Sequence, residues 1–287
     1  MTLEIRPLSD TLGAEIIGVE LSKLINEPTF EEIHQAFLEH LVLLLRGQHA
    51  MTVEQQIAFS RRFGRLKTDL KAETTLEGCP EILVLSNVKK DGKYVGTPQR
   101  GEFWHADLYF ERIPSAAALL HAKIVPEGEG TEMGDTLFAN MAAAYEALPD
   151  TMKRQINGLQ NRVSRVKSWP INYPNLPPLS PEQVAAYSDV IHPLVRTHPE
   201  TGRKSLFIGD ISAGTIEGMS QVESDALLCQ LRDFATRPNF VYRHHWRVGD
   251  ALMWDNRATL HSATDFDQDK YIRHMHRTTI LDDVVPS

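Results

Sequence analysis

Cysteine is scarce in this chain. Cys79 and Cys229 stand far apart and form no CxxC pair, which excludes a disulfide framework or a zinc ribbon and leaves two reduced, packed thiols. Long apolar runs are missing as well. The longest, Leu41-Val-Leu-Leu-Leu45, falls far short of the roughly 18 residues of a membrane span and suits one buried strand. The first residues, Met1-Thr-Leu-Glu-Ile-Arg6, lack the basic-then-apolar layout of a signal peptide, so the expectation is a cytoplasmic protein without a membrane partner. Positive charge is not in excess: the net charge is −8, which argues against a nucleic-acid partner. It also makes an inward-facing arginine informative, because its charge must answer a local anion. No internal repeat, Ser-His-Asp motif or phosphate-cradling glycine loop stands out.

What is present is ordinary for a globular protein. The 287 residues are 42 % hydrophobic and 24 % charged, enough to bury a sizeable core. Thr29-x-x-Glu32 reads as a capping box ahead of Ile33, Phe37 and Leu38, and Thr52-x-x-Gln55 caps a second helix ending at Gly64. Strands are expected at 41–46, 82–85, 116–125, 136–138, 194–197, 205–208, 240–246, 251–254 and 271–280. Helices are expected at 141–148 and, behind Ser220-x-x-Glu223, at 221–234. Many short strands with few helices predict a two-sheet jelly roll covered on one side by helices. Three polar stretches, 67–75, 89–101 and 168–181, fit neither pattern and read as lids or binding loops.

Gly101-Glu-Phe-Trp104-His105-Ala106-Asp107 sets a histidine and a carboxylate two residues apart. On an extended segment both point to one face, with Cα atoms roughly 6–7 Å apart, close enough to share a metal ion. One further histidine would complete a facial triad of two His and one carboxylate. The C-terminal segments Trp254-Asp-Asn-Arg257-Ala-Thr-Leu-His261 and Arg273-His-Met-His-Arg277 offer it. Such a triad leaves three coordination positions open and suits non-haem Fe(II) oxygenases. Two of those positions can accept the keto-acid end of 2-oxoglutarate, and the third O₂.

Arg273 and Arg277 carry a separate argument. On a strand they share one face with Met275, while His274 and His276 take the other. Two guanidinium groups inside a sheet are costly unless anions meet them. A bidentate contact fits either the distal carboxylate of 2-oxoglutarate or an acidic substrate.

Taken together, these pieces resemble the taurine and 2,4-dichlorophenoxyacetate (TauD/TfdA) family of Fe(II)/2-oxoglutarate-dependent dioxygenases. The matching residues are Phe103-Trp-His105-Ala-Asp107, Gly134-Asp-Thr136-Leu-Phe, Arg196-Thr-His-Pro-Glu-Thr-Gly-Arg-Lys204, Trp254-Asp-Asn-Arg257, His261 and Arg273-x-x-x-Arg277, in the family's order. The resemblance implies one domain over 1–287, mainly β with flanking helices around a double-stranded β-helix (jelly-roll, cupin-like) core. It implies Fe(II), 2-oxoglutarate and O₂ as cofactor and cosubstrates, with His105, Asp107 and His261 as iron ligands. Thr136 and Arg273 match the holders of the distal carboxylate of 2-oxoglutarate, Trp254 a wall of that pocket, and Arg277 a position near the acidic group of the substrate. Succinate and CO₂ would be released as a small anionic substrate is hydroxylated. Leu85-Ser-Asn-Val88 with Asp91-Gly92, and Phe240-Val-Tyr-Arg-His244, look more like enzymes of aryloxyalkanoate carboxylates than of sulfonates. A homo-oligomer would be unsurprising for this family. The acidic stretch 126–135 departs from the family's shorter approach to Thr136.

Other residues have plainer readings. Phe207, Trp169 and Tyr173 are candidate substrate contacts, although aromatics on jelly-roll strands are commonly core. His121 reads as a hydrogen-bonded histidine of the barrel. His192 and His198 share a strand face, and His244 and His245 point apart. Lys67 and Arg100 are reserve anchors for the acidic group. Two rival readings stand beside this one: a non-oxidative metal-dependent hydrolase or isomerase using the same three ligands, and a non-catalytic, cupin-like small-anion-binding protein.

Overall fold

Alternation along the strands decides the layers. In the computed structural model, which describes residues 3–68, 72–98, 101–128, 133–173 and 176–287, two sheets face one another. The larger orders its strands Glu4–Pro7, Ala14–Ile17, Val42–Leu45, Ala251–Asp255, Ser115–Ile124, His274–Leu281, Cys79–Ser86, Thr75–Leu76. Within it only Ala14–Ile17 and Val42–Leu45 run parallel. The smaller places Thr136–Asn140 between Val241–His244 and Thr259–Ala263, antiparallel to both. This is the jelly roll that the strand pattern predicts.

Successive side chains divide between two cores. Leu43, Leu45, Leu119 and Met253 point outward, against the helices Glu27–His40 and Val53–Arg61. Their neighbours Leu44, Leu120, Leu252 and Trp254 point inward, where Phe138 and Trp246 of the other layer meet them. Each such side chain contributes about 1.5–3 kcal/mol when fully buried. Ser115–Ile124 is central, paired on both edges and packed on both faces, so its apolar run is continuous rather than alternating. Helices cover both layers, not one. Ala139 and Leu260 are apolar on the outer face of the smaller sheet, and Met141–Ala147 and Gln221–Ala235 cover them.

The capping boxes at Thr52 and Ser220 form as read. Thr29 does not cap its helix. The Asn26 side chain accepts from Thr29 N at 2.9 Å, Pro28 fits the first turn, and the helix begins at Glu27. The second helix stops at Arg61, short of Gly64. The stretch 168–181 is not all loop: it carries most of a helix, Arg165–Asn172, capped by Ser164. A three-stranded sheet of Gln160–Val163, Val190–Pro193 and Gly214–Ile216 was not legible, because Gln160-Asn-Arg-Val lacks apolar alternation. Arg100 and the acidic residues at 129–132 lie outside the described residues.

Candidate metal centre

The extended segment entering from Gly101 runs beside Thr259–Ala263. His105 N donates to His261 O at 3.0 Å and His261 N to His105 O at 2.9 Å, so the two histidines stand directly opposite, ring centroids 4.2 Å apart. Two residues on, Asp107 N donates to Asn256 Oδ1 at 3.0 Å. Leu108 then takes φ 56, a left-handed conformation costly for a branched side chain, and turns the chain immediately after the carboxylate. One ligand atom from each of His105, Asp107 and His261 lies within 4.8 Å of the others.

The ring orientations suit coordination. His105 Nδ1 donates to Phe103 O at 2.8 Å, which leaves its Nε2 lone pair free. His261 Nε2 is 3.8 Å from Asp107 Oδ2. Burial, reinforced by His105, pushes the His261 imidazole down to about 3, so it is neutral and a competent donor at pH 7. Burial would raise Asp107, but the Arg277 guanidinium and then both histidines outweigh it and hold the carboxyl at about 2.

Arg273, Met275 and Arg277 face the interior, as their alternation predicts, and His274 and His276 face away with their Nε2 atoms 3.1 Å apart. Arg277 Nη1 donates to Asp107 Oδ1 at 2.8 Å. Arg273 Nε is buried and has no partner among the described residues. Burial lowers this guanidinium to about 10, with Asp135 working against the shift. Gly134, at φ +69, makes room for it: a Cβ there would lie 3.1 Å from Arg273 Cδ and 3.2 Å from Phe266. The Thr136 hydroxyl accepts from Trp246 Nε1 at 3.0 Å, so its own proton can go to an anion beside Arg273.

A cavity of about 470 Å³ is lined by His105, Asp107, His261, Thr136, Trp254, Arg273 and Arg277 together. Trp169, Tyr173 and Lys67 line it too. Phe207 does not. It is 3 % exposed and packs edge-on against Tyr109 at 5.0 Å, while its carbonyl accepts from the Tyr109 hydroxyl at 2.9 Å. Phe207 therefore supports a wall residue from behind, because the strand it follows points it into the core.

The residue missed is Asn256. Besides holding Asp107 N, it donates Nδ2 to Asp107 Oδ2 at 3.3 Å and to Ser115 Oγ at 3.2 Å, and it accepts from Trp254 Nε1. Its neighbours serve the scaffold. Asp255 takes Arg257 and His198, and Arg257 also reaches Glu200 at 2.6 Å. Arg196 pairs with Asp282 in the core. The matched segment 196–204 is thus structural: His198 bonds Asp255, and His192 bonds the carbonyls of Tyr109 and Glu111. His121 is buried on Ser115–Ile124, where burial lowers its imidazole to about 4 and a hydrogen bond to the Gln48 backbone opposes the shift. His244 and His245 lie against different carboxylates, Asp250 and Asp135.

Two imidazoles, one carboxylate and two inward cations can hold a divalent metal beside two organic anions. Comparison with known proteins points the same way. The model of the family described as "Taurine catabolism dioxygenase TauD, TfdA family" matches residues 4–279. The chain is 37 % identical to the (S)-phenoxypropionate/alpha-ketoglutarate-dioxygenase of Sphingobium herbicidovorans, over 92 % of this chain and 90 % of that one. It is 35 % identical to the alpha-ketoglutarate-dependent 2,4-dichlorophenoxyacetate dioxygenase of Cupriavidus pinatubonensis, over 99 % and 100 %. A crystal structure of AAD-2 in complex with Mn(II) and N-oxalylglycine superposes with a TM-score of 0.85 at 33 % identity, covering 100 % of this chain and 99 % of that one.

Proposed function

The chain belongs to the taurine catabolism dioxygenase TauD, TfdA family, and on that premise we propose that His105, Asp107 and His261 are its iron ligands. It is a 2-oxoglutarate-dependent dioxygenase that works with Fe(II) and O₂. In our reading 1–287 acts as one domain and the substrate is a small aryloxyalkanoate carboxylate. The observation that carries the assignment is the convergence of three metal donors within 4.8 Å in a cavity that two arginines also line. The donor set fits Fe(II): His261 is neutral, the carboxylate is ionised, and His105 Nδ1 is held by Phe103 O so that Nε2 faces the site.

Bound there, Fe(II) with 2-oxoglutarate and O₂ supplies the oxidation of a substrate C–H bond, with release of succinate and CO₂. The protein's part is to orient and to exclude water. Arg273 offers a fork of donors, and the Thr136 hydroxyl a further one, to the distal carboxylate of 2-oxoglutarate. Arg277 spends Nη1 on Asp107, while its Nε is buried without a partner among the described residues, which leaves donors for a second anion, the substrate carboxylate. Leu108, Tyr109, Phe110 and Val163 line the same cavity and offer an aryl ring an apolar wall. The similarity to enzymes named for phenoxypropionate and 2,4-dichlorophenoxyacetate supports a carboxylate over a sulfonate.

Chelator treatment, then Fe(II) or Zn(II) added back in air with 2-oxoglutarate and a panel of aryloxyalkanoates and alkylsulfonates, tests this reading. Succinate should form with iron alone, and fastest with an aryloxyalkanoate. Equal turnover with zinc would remove the iron-ligand assignment, and a sulfonate preference would remove the substrate class.

A further inference from the structure

One cation on the cavity wall has no part in holding the metal, 2-oxoglutarate or the reacting carboxylate. Arg165 opens the helix Arg165–Asn172 and lines the same cavity as the metal donors. Its guanidinium carbon lies 4.1 Å from the centroid of the Phe110 ring and 4.5 Å from that of Tyr187, with Trp169 at 6.0 Å. Cation–π attraction to these rings holds the guanidinium in place without supplying an oxygen or nitrogen acceptor to its N–H donors. Among the described residues, none of those donors has a hydrogen-bond or ion-pair partner. The acids that line the cavity besides Asp107 are, among the described residues, Glu111 and Asp210, and neither pairs with Arg165. Asp210 is turned toward its own loop: Oδ1 accepts from Ser212 N at 2.9 Å and Ser212 Oγ at 2.6 Å, and Oδ2 accepts from Asn172 Nδ2. In a chain of net charge −8, an arginine caged by aromatics on a cavity wall and left with its whole edge unspent is fitted to meet an anion that enters with a ligand.

We infer that Arg165 is an anion subsite for the end of the substrate remote from the reacting carbon, and that the preferred substrate carries a second carboxylate there. This rests on the reading of the cavity as the substrate site. Arg277 and Arg165 stand on different elements, a sheet strand and a wall helix, so one elongated molecule can engage both, with its aryl body against Tyr109, Phe110 and Val163. The fork geometry selects a planar carboxylate over a spherical halide or a neutral methyl group.

The test compares ligand pairs that differ only in the remote carboxylate, by anaerobic titration of the Fe(II)–2-oxoglutarate protein. Phenoxyacetate is set against 4-carboxyphenoxyacetate, and hexanoate against adipate. In the wild type the second carboxylate should tighten binding at least tenfold in one pair or both. Arg165→Met should abolish that gain while leaving the affinity for the singly charged member and for 2-oxoglutarate unchanged. Arg165→Lys, which keeps the charge but loses the fork, should retain part of it. No gain in either pair, or a gain that survives Arg165→Met, overturns the inference. If only the aliphatic pair binds and shows an Arg165-dependent gain, the aryloxyalkanoate reading fails and the Arg165 subsite stands.

Discussion

Asp255, Asn256 and Arg257 are consecutive, yet they serve two clusters of opposite character. On one side, Asn256 steadies Asp107 among His105, His261 and Arg277, where Arg273 Nε, Arg277 Nε and His261 Nδ1 have no partner among the described residues. On the other, Asp255 accepts from Arg257 and His198, Arg257 reaches Glu200, and Glu200 meets His34 at 3.0 Å. Both clusters use histidine, carboxylate and arginine. They differ in closure: the second satisfies its charges internally, and the first keeps donor capacity for something from outside. Between these two clusters the difference lies in unspent valence, not in residue type.

That contrast can be broken by mutation. The largest effect should fall on the closed cluster. Asp255→Asn leaves Arg257 buried against a neutral amide, and unfolding free energy should drop by about 3–5 kcal/mol. His105→Ala, on the open side, should move metal-free stability by less than about 1 kcal/mol while abolishing Fe(II) binding. Denaturant melts with equal losses for the two variants would erase the distinction.

Next comes the residue that joins the clusters. Asn256→Ala removes the groups holding Asp107, and Fe(II) affinity should fall by about 10–100-fold. Isothermal titration measures it, and unchanged affinity would return Asn256 to a purely structural role.

Within the open cluster, the two inner arginines should divide their labour. Arg273→Lys should raise the KM for 2-oxoglutarate by about tenfold, equivalent to about 1.4 kcal/mol, with little change for substrate. Arg277→Ala should do the reverse. If each variant weakened both ligands alike, the separation of the anions would be wrong.

The smallest effect concerns pH at the rim of the closed cluster. The hydrogen bond to Glu200 raises His34 above its ordinary 6.5, with burial opposing. The same bond, helped by Arg257 against burial, holds Glu200 at about 2. A raised histidine stabilises fully below 6.5 and loses its contribution as pH climbs through its folded value. A depressed carboxylate stabilises above 4.5 and loses its contribution as pH falls toward 2. The pair should therefore count most between these limits. Because it is partly exposed, its worth is about 0.2–1 kcal/mol. Chemical denaturation of wild type and His34→Gln at pH 5.5 and pH 8.5 should show a gap that narrows at the higher pH, and a constant gap would mean His34 contributes by packing alone.

Features governed by local periodicity were legible in the sequence. The alternation Arg273-x-Met275-x-Arg277 gave the inward face of a strand, and His105-x-Asp107 gave two donors on one side. The brace formed by segment 196–204 was not legible, because its partners Asp255 and Asp282 are distant in the chain and only folding brings them near. Asn256 was hidden for the same reason: an asparagine beside Asp255 carries no sign of which carboxylate it will steady. Phe207 misled because an aromatic after a strand reads alike whether it lines a cavity or backs a wall. The N-terminal strand Glu4–Pro7 escaped notice because all four of its residues are exposed and nothing in its pattern marks a buried face.

A single run of chain, from His105 to Phe110, carries two of the three proposed metal donors at one end and the ring that flanks Arg165 at the other. Five residue steps cannot exceed about 18 Å, and the turn at Leu108 shortens the run further. Backbone length would therefore act as a ruler between the proposed metal site and the inferred Arg165 subsite. A one-residue insertion or deletion between Asp107 and Phe110 would reset the length of molecule accepted while keeping all three proposed metal donors in the chain. Divergence toward longer or shorter substrates has a cheap route here, through the chain's spacing rather than its chemistry.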